Sequence, residues 1–305
     1  MSATDARLRQ IRWLALLVCA LSLLVVGISA YLRLDAAGIG CAPWPGCYGQ
    51  VLSGEPAALH YGFARLLHRA AASSALLLTI FLVWRCMRPQ PLLPAARYAG
   101  LLLLLMLALS GLGFLSADPR RALVGFLNIV GGLGLVTFSW RLAMAAGALG
   151  KAPESAARGW VLHAGIVALT LAVMMGAWIG ATYSAIACSS LPWCDMNHWG
   201  AADSLRLLNP LVRPDTASLP GDAAGSLLHL LHRSFAVLAL VLLFIAGWRA
   251  HRVAARVVAC LLVLVMVLGG WGVQSTASLS ALWLIVAHGA MAALLLAAVA
   301  TWLRR

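Results

Sequence analysis

The stretches Cys41-Ala-Pro-Trp-Pro-Gly-Cys47, followed by Leu67-His68-Arg69, and Cys188-Ser-Ser-Leu-Pro-Trp-Cys194, followed by Leu231-His232-Arg233, are two copies of one pattern. In each, a loop rich in tryptophan and proline is closed by two cysteines, and an apolar run with His-Arg near its start follows. The duplication divides the chain into two halves, residues 1–150 and 151–305. They are joined by the linker Gly147-Ala-Leu-Gly-Lys-Ala-Pro153-Glu-Ser-Ala-Ala-Arg158.

Composition sets the class. Of 305 residues 63% are hydrophobic and 10% charged, and the mean hydropathy is +0.93. A water-soluble fold of this size needs far more polar surface than that, so the chain reads as an integral membrane protein. A crossing helix needs about 20 apolar residues. Such stretches occur near 13–34, 61–84, 98–117, 122–142, 160–184, 225–247, 257–275 and 281–303, which predicts eight crossings in an all-α protein. Arg7, Arg9 and Arg12 precede the first run as they would in a secretory signal, but the run is long and has no persuasive small-residue cleavage site. It is read as a retained helix.

Lys and Arg accumulate in short cytoplasmic loops. The N-terminus, the segments with Arg85, Arg88 and Arg97, with Arg141, Lys151 and Arg158, and with Arg249, Arg252 and Arg256, and the tail Arg304-Arg305 all fall on one side. Both termini are expected in the cytoplasm, and both cysteine loops on the outer face of a bacterial plasma membrane. The formal net charge of +13 then reflects topology and attraction to anionic lipid. Scattered arginines without a stacking surface point away from nucleic acid.

An outer location is oxidising, so Cys41 with Cys47 and Cys188 with Cys194 are candidate disulfides, with reduced pairs as the alternative. A metal site joining His198 to Cys188 and Cys194 is disfavoured, because the first loop has no matching histidine. Cys19, Cys86 and Cys260 read as small packing residues.

Four crossings per half give two tandem four-helix bundles in parallel orientation, related by a pseudo-two-fold axis along the membrane normal. Every even-numbered helix then enters from the outside. His232 on the sixth helix and His288 on the eighth, about seven residues past its start, arrive at similar depth. Imidazoles in hydrocarbon are costly without a partner. A pair at matched depth is suited to grip an iron from opposite faces, and haem fits between the helices of a bundle. Arg233, and Arg69 in the first half, are placed to meet the propionates of such a group. His229 lies one turn before His232; the repeat favours His232 and leaves His229 as the alternative. His60 and His68 are too far apart on one helix to share an iron, and His163, His198 and His251 fall at loops or helix ends.

In the first half His68 has a single clear ligand role, and Asn128 stands where His288 stands in the second. Gly131, Gly132 and Gly134 thin the fourth helix, either for a flat macrocycle or for close helix packing. An iron with one protein ligand suits chemistry or exchange, and a doubly ligated one suits electron transfer.

These residues are where the chain resembles the haem A synthase family. The resemblance extends to Gly176-Ala-Trp-Ile-Gly-Ala-Thr-Tyr-Ser-Ala-Ile-Ala-Cys188 and His229-Leu-Leu-His232-Arg233 and covers essentially the whole chain. It implies oxidation of the C8 methyl of haem O to a formyl, giving haem A for terminal oxidases. It also implies haem b on His232 and His288, and the substrate haem on His68 with Asn128 nearby. The cysteine loops would cover the outer mouths, and Arg33, Arg65 and Arg69 would steer propionates. Implied partners are the lipid bilayer, a haem O synthase, an electron donor and cytochrome oxidase assembly factors; self-association is left open.

Two positions depart from the family pattern. A glutamate commonly stands three residues before the first His-Arg, where this chain has Arg65, and a histidine stands at Asn128. An arginine cannot serve as acid or base at ordinary pH, and Glu55 lies too far up the loop to replace a carboxylate. The rival readings are therefore a haem-binding assembly or carrier protein without catalysis, and a b-type membrane cytochrome relaying electrons.

Overall fold

The computed structural model describes residues 3–41, 44–53, 62–89, 92–147, 159–194, 204–250, 253–276 and 278–303. The linker with Lys151 and Arg158, together with Glu55, His60, His198, His251, Arg252, Arg304 and Arg305, lies outside them.

All long elements are α-helices: α1 Ala3–Ala37, α2 Gly62–Met87, α3 Ala96–Leu115, α4 Ala122–Ala146, α5 Trp160–Ala181, α6 Ala223–Ala250, α7 Val253–Gln274 and α8 Leu279–Trp302. Each is long and apolar enough to cross a membrane, so the chain is a multi-pass helical membrane protein. Helices are the natural solution, because hydrocarbon offers no partner for an unpaired backbone group.

Two boundaries differ from the hydropathy reading for physical reasons. α1 runs on towards its N-terminus past the apolar stretch, and Arg7 donates from Nε to the carbonyl of Arg85 at 2.7 Å. Its other end stops at Gly38, whose φ of +90° is a left-handed cap that only glycine adopts freely. α5 ends at Ala181, although the sequence stays apolar to residue 184. Tyr183 has φ +55°, and the residues from Ala181 to Cys188 are all buried. That apolar segment is a folded-back loop, hidden by protein instead of lipid.

Helices α1 to α4 pack on one another, as do α5 to α8; α1 and α4 contact α8, and α4 also contacts α5. One apolar cluster holds Leu8, Ile11, Leu82, Leu102 and Leu142 of α1 to α4. Another holds Leu162, Leu243, Val258 and Leu295 of α5 to α8. At the end carrying the cysteine loops a third cluster brings both sets together, with Leu34, Ala122, Ile186, Leu207, Leu228 and Leu282. Lipid tails are as apolar as leucine, so what selects these contacts is close packing and cross-helix polar bonds. The Tyr31 and Trp283 rings stack with centroids 5.4 Å apart, Phe126 meets Trp178 edge-on at 5.3 Å, and the Trp140 indole donates to the Thr301 hydroxyl at 2.7 Å.

Both cysteine pairs are disulfide-bonded, Cys41 to Cys47 and Cys188 to Cys194. The sulfurs of the second loop are thus committed to each other, which removes them as metal ligands. Among the other cysteines Cys19 and Cys86 are buried as expected, while Cys260 is exposed and does not pack inside the bundle.

Candidate functional site

A cavity of about 690 Å³ opens among the helices and is lined from both sets of four. His68, Arg69 and Asn128 line it from α2 and α4, and His229, His232, Arg233 and His288 from α6 and α8. Its size falls within the range of small-molecule and cofactor sites.

His232 lies nine residues after Ala223, the first residue of α6, and His288 nine after Leu279, the first of α8. At 1.5 Å per residue each is roughly 14 Å along its helix. Their ring centroids are 6.1 Å apart with planes inclined at 75°. Each ring has its Nδ1 against a backbone carbonyl at 2.8 Å, His232 on Ala172 of α5 and His288 on Val265 of α7. With the proton on Nδ1, the lone pair sits on Nε2, the tautomer a metal ligand needs. Two imidazoles gripping one iron through metal–nitrogen bonds of about 2 Å hold their centroids roughly 6 Å apart. The pair therefore fits a bis-histidine iron-porphyrin.

Glycines make room for both rings. A Cβ on Gly176 would lie 2.9 Å from Cε1 of His232, and one on Gly269 2.8 Å from Nδ1 of His288. Gly176 opens the stretch quoted above for the family resemblance, but without a role of its own, and Gly269 went unnoticed in the sequence. A signal was present, since glycine inside a helix costs about 1 kcal/mol against alanine and calls for a local reason.

His229 is turned differently. It is 4% exposed, and its Nε2 is 2.9 Å from the Ser184 carbonyl. Arg233 donates to the carbonyls of Ser190 at 2.7 Å, Pro192 at 3.1 Å and Cys188 at 2.9 Å. It clasps the second cysteine loop, and Leu191 and Pro192 of that loop form part of the cavity wall.

Towards the first half, His68 and Asn128 each lie six residues past the first residue of their helices, Gly62 and Ala122. Arg65 is exposed on α2 and is not among the lining residues, which include no aspartate or glutamate. Gly131 and Gly134 face Leu109 and Leu105 of α3 and serve close packing, whereas Gly132 faces Val26 of α1 and also lines the cavity. On the α1 wall the Ser22 hydroxyl and the Arg33 Nε are buried without a hydrogen-bond partner among the described residues. Burial raises the phenol of Tyr183 above its ordinary range, with the Arg33 guanidinium opposing, so that phenol stays neutral and supplies Arg33 with no counter-charge. A half-buried cation with a buried, unused Nε donor beside a cavity calls for an acidic ligand.

The family described as cytochrome oxidase assembly protein matches residues 123–300, from the start of α4 to the end of α8. The chain belongs to that family. Among its relatives is a haem A synthase of Shewanella oneidensis, 25% identical over an alignment 321 residues long that takes in 96% of this chain and 95% of the relative. The residues matched by the cytochrome oxidase assembly family include Asn128, His232 and His288, whereas His68 lies before that match.

Proposed function

We propose that this protein is a haem A synthase-like membrane oxidoreductase that oxidises the C8 methyl of haem O to a formyl. The observation that carries the reading is the His232–His288 pair, half-buried and equally far along α6 and α8, with both Nδ1 atoms against carbonyls. These two residues would hold a haem b, which supplies one-electron chemistry when bound. His68 and Asn128 would face the substrate porphyrin, with Arg33 and Arg69 directed at its carboxylates and Arg65 further out on α2. In this reading residues 1–150 are the substrate half and residues 151–305 the electron-transfer half. Both cysteine loops then lie outside a bacterial plasma membrane, and both termini inside.

The protein's own groups bind, orient and exclude water. The Arg233 clasp keeps the Cys188–Cys194 loop over the cavity, and the apolar walls keep bulk water from the porphyrin faces. The reaction product would pass to cytochrome oxidase assembly, and a haem O synthase would supply the substrate.

One observation favours a second reading. No carboxylate lines the cavity among the described residues, and Arg65 stands where the family commonly has a glutamate. A haem-binding carrier without catalysis would need no acid or base there. Co-expression with a haem O synthase, followed by haem extraction and chromatography, separates the two. Haem A in the extract supports the synthase; haem O and haem b without haem A support the carrier.

A further inference from the structure

The contacts around the two imidazoles match in detail. His232 of α6 docks onto α5, and His288 of α8 docks onto α7, so each ring leans on the helix before its own. In both cases the dock is a carbonyl and a glycine four residues apart, Ala172 with Gly176 and Val265 with Gly269. A spacing of four puts carbonyl and glycine on one helix face. In both the carbonyl takes Nδ1, and the glycine lies under the Nδ1–Cε1 edge of the ring. An ideal Cβ would come within 2.9 Å of Cε1 and 3.2 Å of Nδ1 on His232, and within 2.8 Å of Nδ1 and 2.9 Å of Cε1 on His288. Contacts below 3.0 Å force something to move, and here the nearest thing is the imidazole. A glycine such as Gly27, with nothing within 4 Å of its Cβ direction, shows that this is not a general property of glycine in these helices.

We propose that Ala172–Gly176 and Val265–Gly269 are two matching cradles that fix the His232 and His288 ring planes nearly perpendicular, and so set the electronic state of an iron-porphyrin held between them. The inference rests on the reading that these two histidines are its axial ligands. The carbonyl fixes the tautomer and makes Nε2 more basic, and the glycine fixes the tilt by leaving one position open to the ring. Ring orientation matters because imidazole π-donation acts on iron orbitals along the ring normal. Parallel rings split the two orbitals of that type, and perpendicular rings, like the 75° found here, leave them nearly equal. Gly176 and Gly269 are therefore positioning residues acting through the ligands.

The test uses the full-length protein purified in detergent, with haem content, EPR of the oxidised form and midpoint potential as readouts. Wild type is expected to give a strongly anisotropic low-spin EPR signal, and His232→Ala to lose it. Gly176→Ala and Gly269→Ala are each expected to shift the signal towards a rhombic form with a change in potential, or to lose more than half of that haem, while Gly27→Ala matches wild type. If His232→Ala keeps the full signal, the ligand reading fails and the cradles with it. If the signal depends on His232 but both glycine variants superimpose on wild type, the cradles alone fail. The wild-type spectrum decides even where a variant does not fold, since an ordinary rhombic signal would contradict perpendicular rings.

Discussion

The Nε2 atom of His229 sits 2.9 Å from the carbonyl oxygen of Ser184, while one turn later His232 spends its Nδ1 on the Ala172 carbonyl. Two histidines on nearly one face thus present opposite nitrogens to the backbone. His229→Ala is expected to keep the bulk of the His232-dependent haem, and His232→Ala to lose it. The Ser184 carbonyl keeps the Ala187 N–H at 3.1 Å, so His229→Ala removes one of its two donors, a cost of about 0.5–1.5 kcal/mol. Haem content and thermal unfolding of the two variants check this directly.

Arg33 brings a buried, unpaired donor to the cavity wall. Arg33→Met is expected to weaken binding of a dicarboxylate porphyrin by roughly 10- to 100-fold, the scale of a charge-assisted hydrogen bond. The ligand-free protein should be no less stable, because the buried Nε that is removed has no hydrogen-bond partner among the described residues. Porphyrin titration followed by absorbance measures the first effect, and unfolding of the ligand-free protein the second.

Arg233 makes three bonds to the second cysteine loop. Arg233→Ala should free that loop to open, so that the Cys188–Cys194 disulfide is reduced roughly tenfold faster by a given thiol. The Cys41–Cys47 disulfide serves as internal control and should be unaffected. Thiol labelling over time, resolved by peptide mass, distinguishes the pairs.

Tyr48 and Tyr183 lie outside the crossings, and burial raises both phenols above the ordinary range. A raised phenol holds its proton in the folded state while the unfolded chain releases it near pH 10. Their contribution is therefore intact below about pH 10 and is lost as pH rises past it. Phenolate absorbance should show these two tyrosines titrating late, and Tyr48→Phe should lessen the alkaline loss of stability.

Trp140 of α4 and Thr301 of α8 tie the two sets of helices by one hydrogen bond. A double-mutant cycle with Trp140→Phe and Thr301→Val should give a coupling of about 0.6 kcal/mol, typical of such bonds within membranes. Unfolding in mixed micelles provides the measurement.

The eight crossings were legible because hydrocarbon imposes one length and one composition on every helix. Legible too were the cysteine pairs, from their matched spacing, and the depth of His232 and His288, from the repeat. The docks of those rings were not. The partners of Nδ1 are main-chain carbonyls of Ala172 and Val265, and a carbonyl has no letter in a sequence. The roles of Gly131, Gly132 and Gly134 were undecided for the same reason, since only coordinates show leucine and valine side chains against them. Arg233 was expected to look towards a propionate, and its bonds to the loop depend on a backbone path that hydropathy does not describe.

Each of the paired imidazoles leans on a neighbouring helix, so their placement opposite one another depends on α5, α6, α7 and α8 together. α7 and α8 follow α6 in the chain, so the two rings cannot meet until α8 has been laid beside α7 in the bilayer. A chain truncated ahead of Leu279 would insert its earlier helices without bringing the rings together, and is expected to carry none of the His232-dependent haem.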